Sequence, residues 1–254
     1  MKKLIYAFGL VFLCSVMIFE IRRVQKMDTD SKAVMNQIEQ DVMLPTQKIA
    51  YLTFDDGPSE VTNEILDVLN RKNVKATFFL VGNEITEQRE EIVKRELAEG
   101  HQVGVHTYSH EKEEVYCNEN YFFNDFEQCK NRIEEVTEEK VTLHRFPWGS
   151  NNGYVCPMVD DLLAQLKEQG IKSFDWNVSG EDSVARNVAK ATIYQNVAKD
   201  LEKYEKPIIL LHDSNTMQNT AQVLPEIIDM IREKGYEFGT LDEREGYVFP
   251  VAWR

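Results

Sequence analysis

From residue 49 onward, apolar runs of five or six residues alternate with longer amphipathic stretches. The short runs predict strands at 49–54, 76–81, 102–106, 142–146, 172–176, 207–211 and 236–240. Between them, apolar positions spaced by three and four predict helices near 60–72, 86–99, 121–138, 157–169, 184–204 and 219–234. Gly100, Gly170 and Gly235 close three of these helices just before the next strand, where a left-handed residue caps best. Seven strands separated by helices imply a parallel sheet covered by helices. No eighth strand is evident, and no glycine-rich dinucleotide loop follows the first one. An open doubly wound sheet fits this order too. The polar residues favour an α/β fold of another kind, a distorted, incomplete (β/α)7 barrel: Asp55-Asp56, His106, Arg145, Asp175 and His212-Asp213 all fall at the C-terminal ends of strands, where barrel active sites assemble.

The start of the chain follows other rules. Leu4 to Phe19 is a run of sixteen uncharged residues, with Lys2-Lys3 before it and Arg22, Arg23 and Lys26 after it. Residues 1–28 therefore read as a signal peptide or short membrane anchor. A buried helix is the plainer alternative. No small-x-small cleavage site follows, which favours an anchor with the C-terminal domain exported to the outer face of a bacterial membrane; secretion is the other outcome. Residues 29–47 are polar and read as a linker or leading arm, leaving 48–254 as one large domain, expected to be monomeric.

The chain carries a net charge of −14 and its first 28 residues +3, which leaves −17 on the rest. Nothing there resembles a basic stripe, so nucleic acid is excluded as a partner. Cys117, Cys129 and Cys156 lie outside the apolar head and none has a C-x-x-C partner. They admit one disulfide and a free thiol, or three reduced thiols, and argue against a thiolate metal site.

Chemistry concentrates in few residues. Adjacent aspartates repel, and near a core they need a cation or a basic partner. Asp55 and Asp56 stand directly after an apolar run, as a solvated turn or a site. Of the five histidines, His106 and His110 are spaced to converge on one cation. With Asp56 they make an Asp-His-His set of the kind that leaves a zinc position open. His101 and His144 read as solvated or packed. Asp55 is then the natural base, held by Arg145, and His212 the natural acid. Asp175 closes a neighbouring strand and is placed to hydrogen-bond that imidazole.

These segments resemble the polysaccharide deacetylase family, also called the NodB-homology group or carbohydrate esterase family 4. The resemblance rests on Thr53-Phe54-Asp55-Asp56-Gly57-Pro58, His106-Thr107-Tyr108-Ser109-His110, Arg145-Phe146-Pro147-Trp148, Asp175-Trp176 and Leu210-Leu211-His212, five motifs in order between about 48 and 242. It implies Asp55 as base, Asp56, His106 and His110 as metal ligands, and Arg145 pairing with the base. It also implies an oxyanion contact from the Trp148 N–H, Asp175 tuning His212, and Trp176 and Leu210 walling an acetyl-methyl pocket. Trp148 departs from the usual tyrosine, which bears on specificity.

The implied activity is removal of N-acetyl groups from N-acetylglucosamine units of a polysaccharide, with one divalent metal ion, zinc first and cobalt or another ion as alternatives. Peptidoglycan is the first choice of substrate for an anchored bacterial protein. An O-acetyl polysaccharide esterase, a chitooligosaccharide deacetylase and a non-catalytic glycan-binding module are the competing readings.

Overall fold

The computed structural model describes residues 47–250 together with Lys26. The apolar head and the leading arm otherwise lie outside the described residues. Among the described residues no helix is long and apolar enough to cross a membrane.

Eight strands form one sheet: β1 (Ile49–Gly57), β2 (Thr77–Leu80), β3 (Gln102–Val105), β4 (Leu143–His144), β5 (Lys172–Ser173), β6 (Val178–Ser179), β7 (Ile208–His212) and β8 (Glu237–Phe238). Their order is β5-β4-β3-β2-β1-β7-β6, with β8 added beside the start of β1. Every pairing is parallel. The two ends of this order, β5 and β6, are consecutive in the chain yet unpaired, so the curled sheet stays open along that seam. This is the expected distorted (β/α)7 barrel. β6 escaped the sequence because two residues are too few to show a period.

The helices are α1 (Glu60–Lys72), α2 (Glu90–Ala98), α3 (Lys112–Val115), α4 (Glu119–Thr137), α5 (Val159–Glu168), α6 (Lys190–Leu201) and α7 (Gln218–Glu233). Ser59 starts α1 with a capping box, its hydroxyl accepting from Val61 N–H while Thr62 Oγ1 accepts from Ser59 N–H. Asn118 caps α4 through the N–H groups of Asn120 and Tyr121. The expected helix at 184–204 begins only at Lys190, which leaves 180–189 as a connection with chemistry of its own.

Strand alternation sorts the core into two layers. In β1, Ala50, Leu52 and Phe54 face the helices, while Tyr51 joins Phe79, Leu143, Phe174, Ile208 and Leu241 inside the barrel. Phe54 and Phe78 stack at 5.1 Å on the helix side, each fully buried and contributing about 1.5–3 kcal/mol. The interior layer is small, and above it the same alternation delivers polar side chains.

Candidate active site

Counting on from Tyr51, the inward positions of β1 are Thr53 and Asp55. A regular strand would turn Asp56 toward the helices. Instead the register with β2 shifts between Asp55 and Gly57, and Asp56 takes φ +76°. One irregular residue of this kind re-aims a side chain, so both carboxylates serve one site. The next position must be glycine: a Cβ on Gly57 would lie 2.4 Å from Asp213 Oδ2.

The two histidines come from the turn after β3. His106 is buried, and its Nδ1 lies 2.9 Å from the carbonyl oxygen of Arg145. A carbonyl only accepts, so Nδ1 carries the proton and Nε2 is left with its lone pair. Burial first, then the charge of His110, pushes this imidazole down to about 3, which keeps it neutral as a ligand must be. Nε2 of His106 and of His110 lie 3.6 Å and 3.4 Å from Asp56 Oδ1, and the three ligand atoms fall within 4.8 Å of one another. Asp56 Oδ1 is buried without a hydrogen-bond partner. The lone pair of His106 Nε2, the Nε2 of His110 beside it and an orphaned carboxylate oxygen fit a divalent cation, and the mix of two imidazoles and one carboxylate suits zinc.

This turn is strained and braced. Thr107 and His110 have φ of +71° and +57°, and with Asp56 and Trp148 (+62°) they make four of the eight non-glycine residues with positive φ among those described. Such conformations persist where the surroundings over-determine them. Here the brace is Asp125 of α4, whose carboxylate accepts from Tyr108 N–H at 2.5 Å, Ser109 N–H at 3.0 Å and Ser109 Oγ at 2.6 Å.

Arg145 is fully buried. Its Nη1 donates at 2.7 Å to both Asp55 Oδ1 and Thr53 Oγ1, and its Nε donates at 2.8 Å to the carbonyl of Phe174. Its guanidinium lies 4.2 Å from the centre of the Phe79 ring. Burial raises the Asp55 carboxyl, and Arg145 and His212 oppose that rise. The arginine thus fixes one oxygen of Asp55 and leaves Oδ2, 3.7 Å from His106 Nε2, facing the metal position.

The expected contact between Asp175 and His212 is corrected. Asp175 accepts from Ser150 N–H, Ser150 Oγ and Phe249 N–H at 2.9, 2.5 and 2.6 Å. It pins the turn that carries Trp148 and a C-terminal segment. Asp182 takes the expected role: its Oδ1 lies 2.8 Å from His212 Nδ1, and its Oδ2 accepts from His212 N–H and Thr220 Oγ1. Burial disfavours the charged imidazole, but the hydrogen bond and charge of Asp182 outweigh it and push His212 up to about 9. The physical reason for the error is the connection at 180–189, whose residues 184–189 were expected to begin a helix and whose Asp182 stands in no strand or helix pattern. The turn-forming Gly180-Glu181-Asp182-Ser183 was the signal available. Ser183 Oγ stands 3.3 Å from His212 Nε2, the nitrogen that faces the cleft.

A cavity of about 450 Å³ unites these groups. Of the ten predicted site residues, Asp55, Asp56, His106, His110, Trp148, Trp176, Leu210 and His212 line it, while Arg145 and Asp175 stand behind it. Trp148 is 46 % exposed and its ring centre lies 4.9 Å from that of His110. His101 and His144 are both packed away from the site: His101 Nδ1 accepts from Ala76 N–H, and His144 is enclosed by Phe122, Phe126 and Phe146. Cys117, Cys129 and Cys156 are unpaired thiols.

The polysaccharide deacetylase family profile matches residues 44–171. A peptidoglycan-N-acetylglucosamine deacetylase of Bacillus cereus is 37 % identical over 209 residues, covering 81 % of this chain and 72 % of that one. The catalytic domain of a peptidoglycan N-acetylglucosamine deacetylase from Eubacterium rectale superposes with a TM-score of 0.74 at 31 % identity, over 82 % of this chain and 95 % of its own. A carbohydrate esterase family 4 esterase of Streptococcus mutans superposes with a TM-score of 0.71 at 30 % identity, over 77 % and 86 %.

Proposed function

Because the chain belongs to the polysaccharide deacetylase family, we propose that its metal-dependent hydrolysis removes N-acetyl groups from N-acetylglucosamine units of peptidoglycan, releasing acetate. The observation that carries this is an Asp56-His106-His110 cation site beside a separate base, Asp55, and acid, His212, each held by a partner of its own. The identity of the B. cereus and E. rectale relatives supports the glycan.

Asp56, His106 and His110 would hold the divalent ion, which when bound would supply Lewis acidity toward the substrate carbonyl and the attacking water. The chain's own residues do the rest. Asp55, oriented by Arg145, accepts the proton of the attacking water through Oδ2. The Trp148 N–H, presented by a left-handed residue, donates to the developing oxyanion. Trp176 and Leu210 enclose the acetyl methyl. His212 is protonated at neutral pH and gives its Nε2 proton to the departing amine, while Asp182 on Nδ1 holds the ring and stabilises its charged form. The tetrahedral intermediate is common to amides and esters, so an O-acetyl esterase is the second reading, favoured by the likeness to the S. mutans esterase.

The apolar head supports anchoring at the outer face of a bacterial membrane, with the domain acting as a monomer on the wall. Fractionation with and without residues 1–28 tests the anchor. Acetate release by the zinc-loaded, full-length protein tests the chemistry on peptidoglycan, chitooligosaccharides and acetyl xylan. Asp55→Asn is expected to lose about 10²–10⁴ in turnover while still binding metal. Preference for xylan would move the assignment to the esterase.

A further inference from the structure

A second cavity, of about 400 Å³, shares Asp56 and His110 with the catalytic one and none of its other lining residues. The two therefore meet at the cation site, and a ligand lying in one can continue into the other. Its size is in the range of ordinary ligand sites, and none of the groups that belong to it alone takes part in the chemistry described above.

The sheet order decides what its walls are made of. β1 lies between β2 and β7, so the connections after β2 and β7 flank Asp56 from opposite sides. Ser214, Asn215 and Thr216 stand on the β7 flank. Asn215 accepts the Glu60 N–H through Oδ1, which leaves both hydrogens of its Nδ2 unused. The hydroxyls of Ser214 and Thr216 make no hydrogen bond among the described residues. The β2 flank is tied to the turn after β3, since Asn83 N–H donates to the Tyr108 carbonyl at 3.0 Å. There Asn83 donates its Nδ2 to the Ser109 carbonyl at 3.4 Å and keeps Oδ1 unused. Glu84 is taken up by Arg89, but the Glu111 carboxylate has no partner among the described residues, and it can only accept.

Unused donors thus face unused acceptors across one cavity. An extended amide chain matches this, because its N–H and C=O groups leave the backbone in opposite directions and pair on both sides, as between two strands. A pyranose instead packs its apolar face on an aromatic plane. Trp148 and Trp176 offer such planes in the catalytic cavity, whereas no Phe, Tyr or Trp lines the second one.

We propose that the second cavity receives an amide-linked peptide branch carried by the sugar next to the one that loses its acetyl group. This rests on the deacetylase reading and deepens it. In peptidoglycan the muramyl neighbour of each N-acetylglucosamine carries its lactyl group as an amide to a peptide, whereas chitin and xylan carry no peptide. Branch N–H groups turn to Asn83 and Glu111, and branch carbonyls to Asn215 and Thr216.

The test uses two uncharged glucosaminyl–muramyl tetrasaccharides on the zinc-loaded, full-length protein, with lactyl groups ending in a dipeptide amide or in a methylamide. The dipeptide compound is expected to have about tenfold higher kcat/KM. Asn215→Asp keeps the acceptor for Glu60 and removes the donors; Thr216→Val removes a hydroxyl without adding charge. Each is expected to cut the ratio about threefold, while Thr216→Ser retains it. Equal kcat/KM for the two compounds in the wild type, or a ratio that both substitutions leave unchanged, overturns the proposal. So does an equal gain of chitohexaose over chitotetraose that is lost in the same variants, since the cavity would then hold a sugar. Titration calorimetry on the Asp55→Asn background reads the same difference without turnover, and equal Kd for the two compounds also overturns it. Absence of acetate release by the wild type from both compounds and from chitotetraose counts instead against the deacetylase reading, while the calorimetry still decides what the cavity binds.

Discussion

At His212, burial and three carboxylates pull in opposite directions on one proton. Asp182 binds Nδ1 directly, and Asp55 and Asp56 add charge across the cleft, so the imidazole titrates near 9. The acid is therefore loaded below that value and is lost as pH rises through it. Turnover at saturating metal is expected to fall above about pH 9. Asp182→Asn removes the charge and brings the ring back toward its ordinary range, so the basic limb of the pH–rate profile should move to lower pH. An unmoved limb would remove His212 from the role of acid. Arg145 makes the complementary case in stability. Arg145→Met would leave Asp55 buried without its cation, which costs about 3–5 kcal/mol and is read as a fall in the denaturation midpoint. A neutral effect would mean that Asp55 is held by other groups.

Among the elements, α4 does more than cover the sheet. Its Asp125 gathers three donors of the turn between His106 and His110, so Asp125→Asn should weaken zinc binding about 10- to 100-fold, measured by competition with a chelator. Ser109→Ala, which removes one of the three bonds and no buried charge, should give a smaller loss in the same direction; unchanged affinity in both would make the brace merely structural. Nothing in the sequence pointed at Asp125, because a single acid on the polar side of a helical period looks like a solvated one. The strands and most helices were legible, since β1, β2 and β7 are buried on both faces and their runs are unbroken. The ligands and the base were legible because they stand at strand ends in short motifs. Asp182 was not: its strand is two residues long, and the connection after it imitates a helix. Asp175 was misread for a related reason. It does close a strand edge, but its partners arrive from Ser150 and Phe249, 25 and 74 residues away, and no local pattern reports such distances.

For the whole molecule, the metal is also a stabiliser. Asp56, His106 and His110 come from two different strand ends, and an ion that joins them in the folded state alone adds about 4 kcal/mol at a thousandfold excess over its Kd. Chelation should therefore lower Tm, by on the order of 10 °C for a domain of this size, with zinc restoring both Tm and acetate release. A melting temperature indifferent to chelator would argue against a resident ion.

The displaced register at Asp56 has one more consequence. Base and ligand sit on neighbouring residues, so the spacing between proton acceptor and cation is set by a single peptide unit and drifts very little as the surrounding loops change. The outer rim, beyond the residues after β4 and β6 that hold Asp55 and His212, is free to vary without disturbing that spacing. Substrate preference in this scaffold is thus modular.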